Sequence, residues 1–134
     1  MSRCRNRKEI LTSVVVYFEI PVTELERAEL FYSRVFEVHL AREEVDGNVM
    51  AHFPSTGRVS GISGSLAKGE SYLPEDSGVR VYFGVESIDS ILIRVANEGG
   101  KVAYPKTDVG DYGFVAEFID SEGNRIGLNE PRSE

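Results

Sequence analysis

Six side chains in this sequence have the chemistry to hold or transform a small molecule, and they fall at matching places in its two halves. Met50-Ala-His-Phe53 aligns with Val115-Ala-Glu-Phe118, so His52 and Glu117 occupy equivalent positions. Histidine titrates near neutral pH, which suits His52 to act as a general base with Glu117 orienting or charging it. The plainer alternative is that His52 is an ordinary, partly exposed strand residue. Tyr17 and Glu19 near the start have counterparts in Arg80 and Tyr82 near the middle. Arg80 can grip a ligand carboxylate or phosphate with its fork of N–H donors, or form an internal salt bridge with Glu19. The tyrosines can offer hydroxyls to a ligand, or serve as core residues with one satisfied hydroxyl each. Glu19, His52 and Glu117 together would make an unconventional metal site.

These side chains need elements to position them, and the chain supplies the same order of elements twice. Val16 to Val22 is apolar and rich in β-branched and aromatic residues, as a buried strand requires. Thr23-Glu-Leu-Glu26 has the form of a capping box, and Leu25, Ala28, Phe31, Tyr32, Val35 and Phe36 recur at helical spacing. Three strands are predicted next, at Val38 to Val45, Val49 to Phe53 and Arg58 to Leu66, with Asp46-Gly47-Asn48 as a tight hairpin. The second half repeats this. Val79 to Val85 is a strand, Ser87 a cap, and Ile88, Ile91, Leu92 and Val95 a helix stripe ended by Gly99-Gly100. Lys101 to Val109, Tyr112 to Ile119 and Arg125 to Asn129 are its three closing strands. The reading is one α+β domain over residues 1–134, with two tandem βαβββ modules (about 13–66 and 79–130) and a linker at 67–78. The modules form a curved mixed sheet around a central cavity. Alternation along the strands turns Phe18, Ile20 and Val22, and likewise Val81, Phe83 and Val85, toward the helices. Tyr17, Glu19, Arg80 and Tyr82 then face the cavity as ligand-binding residues, with His52 and Glu117 beside them as the catalytic pair. Tyr72, Leu73, Pro74, Tyr112 and Phe114 are candidates to close it. His39 is assigned to the surface.

Composition narrows the partners. The chain has 134 residues and a net charge of -7, although Arg3, Arg5, Arg7 and Lys8 crowd its start. An acidic body lacks the clustered cations that a nucleic-acid backbone demands, and the basic start reads as a frayed terminus. Glu19 and Pro21 interrupt the apolar run after the basic start, which argues against a signal peptide. No run reaches the length of a membrane span. The single cysteine, Cys4, permits no internal disulfide and suits a cytoplasmic protein. Open sheet edges and aromatic surfaces point to a homodimer.

Two segments resemble the vicinal oxygen chelate superfamily (glyoxalase, bleomycin resistance protein, dioxygenase), specifically its glyoxalase-like subgroup. Phe18 to Phe36 is similar to the family's first strand and helix, with its Leu-Glu-Arg and Phe-Tyr signature. Asp120-Ser-Glu-Gly-Asn-Arg-Ile-Gly-Leu128 is similar to its closing Asp-Pro-x-Gly-Asn motif, with Ser121 where Pro is usual. The resemblance implies the tandem βαβββ fold. It also implies, in metal-dependent members, one ligand on the first and one on the last strand of each module. Those positions fall on Tyr17, near Gly61, on Arg80 and on Gly127. Arginine cannot ligate a cation and glycine has no side chain. The expected outcome is a binder of a small organic molecule without metal or other cofactor. The alternative is a lyase, isomerase or dioxygenase of the same superfamily, using a divalent metal or the His52/Glu117 pair. A third possibility is an interaction protein whose dimer surface matters more than its pocket.

Overall fold

The duplicated order is realised as two four-stranded mixed sheets, each carrying one helix, in a computed structural model that describes residues 14–54 and 62–133. The first module comprises β1 (Tyr17–Pro21), α1 (Leu25–Phe36), β2 (Ala41–Val45), β3 (Asn48–His52) and β4 (Ser63–Lys68). The second comprises β5 (Tyr82–Gly84), α2 (Ile88–Asn97), β6 (Lys101–Asp108), a 3-10 turn (Gly110–Tyr112), β7 (Phe114–Ile119) and β8 (Arg125–Glu130). Strand orders are β1-β4-β3-β2 and β5-β8-β7-β6. The first strand of each module runs parallel to the last, and the other neighbours are antiparallel. The sheets are not joined; β1 and β5 each end one of them as an open edge. Among the described residues no helix is long and apolar enough to cross a membrane.

Local chemistry explains the boundaries. The Asp46-Gly47 hairpin takes positive φ at both central residues, 53° and 80°, the twist that matches a right-handed β-ribbon. Glu37 adopts a left-handed conformation (φ 57°) that closes α1, so β2 starts at Ala41 rather than at Val38. Tyr112 falls in the 3-10 turn, and β7 starts after Gly113, whose φ is 90°. A Cβ at Gly113 would lie 2.3 Å from the Glu130 carbonyl, so glycine is required there. β4 runs on to Lys68, two residues into the stretch expected as linker. The basic start with Cys4, and residues 55–61, lie outside the described residues.

The expected capping box does not form. Glu24 is the N-cap of α1, and neither its side chain nor any other local one caps the helix. Glu122, from the β7–β8 turn, does so instead: its Oε1 accepts the N–H groups of Thr23 and Glu24, each at 2.9 Å. The same carboxylate pairs with Arg27, with Nε at 2.7 Å from Oε2. A carboxylate at a helix N-terminus meets unpaired N–H groups and the positive end of the helix dipole. One carboxylate supplied by the second module therefore caps the helix of the first. In α2 the expected cap is present, with the Ser87 hydroxyl accepting the Ser90 N–H at 3.2 Å.

The same turn clamps the modules more deeply. Asp120 is buried, and its Oδ2 accepts the Tyr32 hydroxyl at 2.6 Å, while its Oδ1 accepts the N–H groups of Glu122 and Asn124. Asn124 donates to the Pro21 carbonyl at the end of β1 and accepts the Glu75 N–H from the linker. The family-like Asp-Ser-Glu-Gly-Asn segment thus gathers β1, α1 and the linker around one turn. Beneath it lies an aromatic cluster. Phe36 of α1 stacks on Phe83 of β5 with centroids 4.5 Å apart, and Tyr32, Phe53 and Phe18 surround that pair. Phe18, Ile20, Val22, Phe83 and Val85 all belong to or pack against the core, as the alternation predicts, whereas Val81 lines the cleft instead.

Two outcomes follow. Glu122 is held well down, at about 2: burial opposes ionisation, but the Arg27 hydrogen bond and the N–H groups of Glu24 and Thr23 overcome it. Because the folded value lies below the unfolded one, the stabilisation is complete above pH 4.5 and is lost as pH falls toward 2. Glu122→Gln should cost about 1–2 kcal/mol at pH 7, after allowance for the exposure of Arg27. It should also flatten the dependence of urea-unfolding stability on pH below 5. Asn124→Ala removes three side-chain hydrogen bonds at once, one of them buried, and should cost about 2–3 kcal/mol by the same denaturation measurement.

Candidate functional site

The strand registers place the candidate residues in two equivalent rows on the face turned away from the helices. In the first sheet Glu19 lies opposite Ser65, Ser65 opposite His52, and His52 opposite Ala41. In the second, Tyr82 lies opposite Gly127, Gly127 opposite Glu117, and Glu117 opposite Tyr104. By this pairing Glu19 corresponds to Tyr82, His52 to Glu117 and, two residues upstream, Tyr17 to Arg80. The counterpart of Gly127 is Ser65, not a position near Gly61. Gly61 itself lies outside the described residues.

Between the edges β1 and β5 opens a cleft of about 1240 Å³. Tyr17, Glu19, Arg80 and Tyr82 all line it. Phe18, Phe36, Phe53 and Phe83 line it too, so the cleft has a polar mouth and an aromatic wall continuous with the core. Neither His52 nor Glu117 is part of this lining. The cavity is thus a gap between two sheet edges rather than a hollow enclosed by two sheet faces. Of the five residues expected to close it, only Tyr72 reaches the mouth, donating its hydroxyl to Glu19 at 2.7 Å. Leu73 and Tyr112 remain exposed, and Phe114 packs under Lys106 and Arg132. Pro74 is not among the lining residues.

Each polar side chain already has a protein partner. Tyr17 shares a hydrogen bond with the buried Ser65 hydroxyl. Glu117 is the hub of the second sheet. Its Oε2 accepts from Arg80 Nη1 at 3.0 Å and from the Tyr82 hydroxyl at 3.2 Å, and its Oε1 accepts from Arg125 Nε at 2.6 Å. Burial alone would push the Glu117 carboxyl up, but hydrogen bonds and charge from Arg125 and Arg80 outweigh it and hold the group below its usual range. Burial, then the charge of Glu117 and the hydrogen bond to it, raise the Tyr82 phenol. The phenol therefore stays protonated and donates. The alternative in which Arg80 pairs with Glu19 is not realised; Glu19 takes Tyr72 instead.

His52 and Glu117 are not brought together. His52 Nε2 lies 2.7 Å from Glu43 Oε1 on the neighbouring strand β2, whereas Glu117 is held by the arginines and Tyr82 of the other sheet. Among the described residues no three His, Cys, Asp or Glu side chains cluster closely enough to hold a metal ion, so Glu19, His52 and Glu117 form no such group. The positions where family resemblance would place metal ligands carry a tyrosine, a serine, an arginine bound to a carboxylate, and a glycine. That donor set does not suit a divalent cation, since a guanidinium in the site repels it. Gly127 is occupied in another sense. A Cβ there would sit 2.5 Å from the Tyr82 ring, which packs flat on the bare backbone.

Arg125 and Ser65 were absent from the candidates drawn from sequence, although alternation alone puts Arg125 on the same face as Gly127. The aromatic wall from Phe36 and Phe53 was legible only as core.

Comparison with known proteins places this geometry. The profile of the Glyoxalase/Bleomycin resistance protein/Dioxygenase superfamily matches residues 14–128. A glyoxylase-like domain-containing protein of Didymella fabae is 29% identical over 119 residues, covering 86% of this chain and 91% of that protein. Two solved structures share the fold. A glyoxylase/bleomycin resistance protein/dioxygenase domain from Frankia sp. EAN1pec has a TM-score of 0.69 at 22% identity, covering 92% of this chain and 94% of its own. The antibiotic binding protein TnmS3 from Streptomyces sp. CB03234 has a TM-score of 0.64 at 24% identity, covering 91% and 98%. Against glyoxalase I of Zea mays (TM-score 0.62, 16% identity, 86% of this chain covered) the chain spans 45% of the other's length. The matched residues take in both modules, and the chain belongs to the glyoxalase/bleomycin resistance protein/dioxygenase superfamily.

Proposed function

We propose that this protein binds a small organic molecule in the cleft between β1 and β5, and that it does so without the metal ion used by catalytic relatives. The observation that carries this reading is the cleft itself. It is large enough for a drug-sized ligand, Tyr17, Glu19, Arg80 and Tyr82 are among the polar residues that line it, and four phenylalanines line its wall. Tyr17, Glu19, Arg80 and Tyr82 orient the ligand, and the aromatic wall supplies most of the affinity through burial. The Streptomyces protein that shares the fold is an antibiotic binding protein, which agrees with this use of the scaffold. The enzymatic alternative, a lyase, isomerase or dioxygenase working through His52 and Glu117, draws less support. Glu117 lies on the other sheet, held by two guanidiniums and the Tyr82 hydroxyl, and His52 pairs with Glu43 instead.

The chain is further read as a cytoplasmic homodimer. Val14 and Val16, just ahead of β1 and outside the cleft lining, are exposed apolar residues suited to contact with a second copy. Sedimentation equilibrium should return twice the monomer mass, and Val16→Lys should shift it toward the monomer.

Gly84 offers a direct test of the cleft. It lines the opening, and a Cβ there meets nothing within 4 Å, so a larger residue can enter without disturbing the backbone. Gly84→Trp should weaken calorimetric binding of a planar aromatic probe such as 2-naphthoate at least tenfold while leaving the melting temperature nearly unchanged. Unaltered affinity in that variant would remove the cleft as the binding site.

A further inference from the structure

We infer that the ligand of this cleft is an organic anion, with its carboxylate or an equivalent oxyanion seated against Arg80 on the β5 side. The inference rests on the cleft being a ligand site, as proposed above, and adds the chemical class. Its basis is a charge imbalance built into the second sheet. Arg80, Arg125 and Glu117 form a triad with two positive charges and one negative, joined by bonds of 3.0 and 2.6 Å. The Glu117 side chain is nearly inaccessible, at 11% exposure, whereas Arg80 and Arg125 keep 30% and 32%. The negative member is thus covered, and the surplus positive charge is presented outward.

Geometry decides which arginine meets the ligand. Arg80 lines the cleft and Arg125 does not. Among the described residues Arg80 spends one of its five N–H donors on Glu117, which leaves a donor edge of the fork for a second oxyanion. Glu117 restrains the guanidinium through Nη1, so part of its rotamer freedom is already lost before a ligand binds. Arg125 compensates the carboxylate from behind, which releases the charge of Arg80 for the ligand. The other charges in the lining reinforce the direction. Glu19, on β1, carries its own negative charge with the Tyr72 hydroxyl, and Glu86 is exposed at the rim. Both repel an anion from their side of the cleft. Arg94 is already engaged by the Val35 carbonyl and Glu37. An anionic head at Arg80 leaves the apolar body of the ligand directed at Phe83 and Phe36, which stack on each other and form part of the same wall.

The triad also makes the test clean. Removing Arg80 leaves Glu117 bonded to Arg125 and to the Tyr82 hydroxyl, so no buried charge is stranded and the fold should survive. Calorimetry would compare 2-naphthoate with its neutral isostere 2-naphthamide on the full chain, with Arg80→Met, Arg80→Lys and Gly84→Trp as variants. The expected result is a preference of at least tenfold for the carboxylate that Arg80→Met abolishes, Arg80→Lys partly retains, and rising salt weakens. Arg125→Met, which leaves Glu117 to neutralise Arg80, should reduce the same preference. Equal binding of both probes, with Gly84→Trp still weakening both, would overturn the anion assignment and leave the binding reading intact. A preference that persists in Arg80→Met would overturn the assignment to Arg80. Failure of both probes to bind in a Gly84-dependent manner would overturn the binding reading and this inference with it.

Discussion

A single buried carboxylate sets the spacing on which the cleft depends. Asp120 sits where the last hairpin of the second module turns beneath the helix of the first, and it can be buried there because Tyr32, Asn124 and two backbone N–H groups surround it. Asp120 is buried, and burial raises its carboxyl in spite of those hydrogen bonds. Since Asn124 also holds the final carbonyl of β1, the position of one cleft edge is tied to the opposite module. The β1–β5 gap is therefore a consequence of how the modules are fastened.

The duplicated pattern was plain in the sequence because periodicity and turn chemistry are local. Alternating apolar residues, the Asp46-Gly47 hairpin and the Ser87 cap each act within a few residues, and each is found where sequence places it. The misplaced features are those settled across long separations. Thr23 and Glu26 look like a complete capping box, yet Glu122 arrives from nearly a hundred residues away with Arg27 to hold it, and wins. The partner of Arg80 is likewise a residue on a strand that comes to lie within reach only after the second sheet has assembled.

Knowing a face is not the same as knowing a neighbour. Strand alternation correctly assigned Tyr17, Glu19, Arg80 and Tyr82 to the side away from the helices, and the structure gathers all four at one opening. Alternation says nothing about which sheet edge faces which, so the opening turned out to lie between edges and to reach the aromatic core. The symmetry that linked His52 to Glu117 was real as register. Equivalent positions in two copies, however, lie on different sheets, and that is why the two residues keep separate partners.

The packing of Tyr82 on Gly127 bears on what this scaffold can become. Introducing a chelating side chain at position 127 would force the phenol off the backbone it covers, which would also take a donor from Glu117 and loosen the hold on Arg80. A donor side chain at position 127 would therefore be accommodated only together with changes at Tyr82, Glu117 and Arg80, whose contacts interlock.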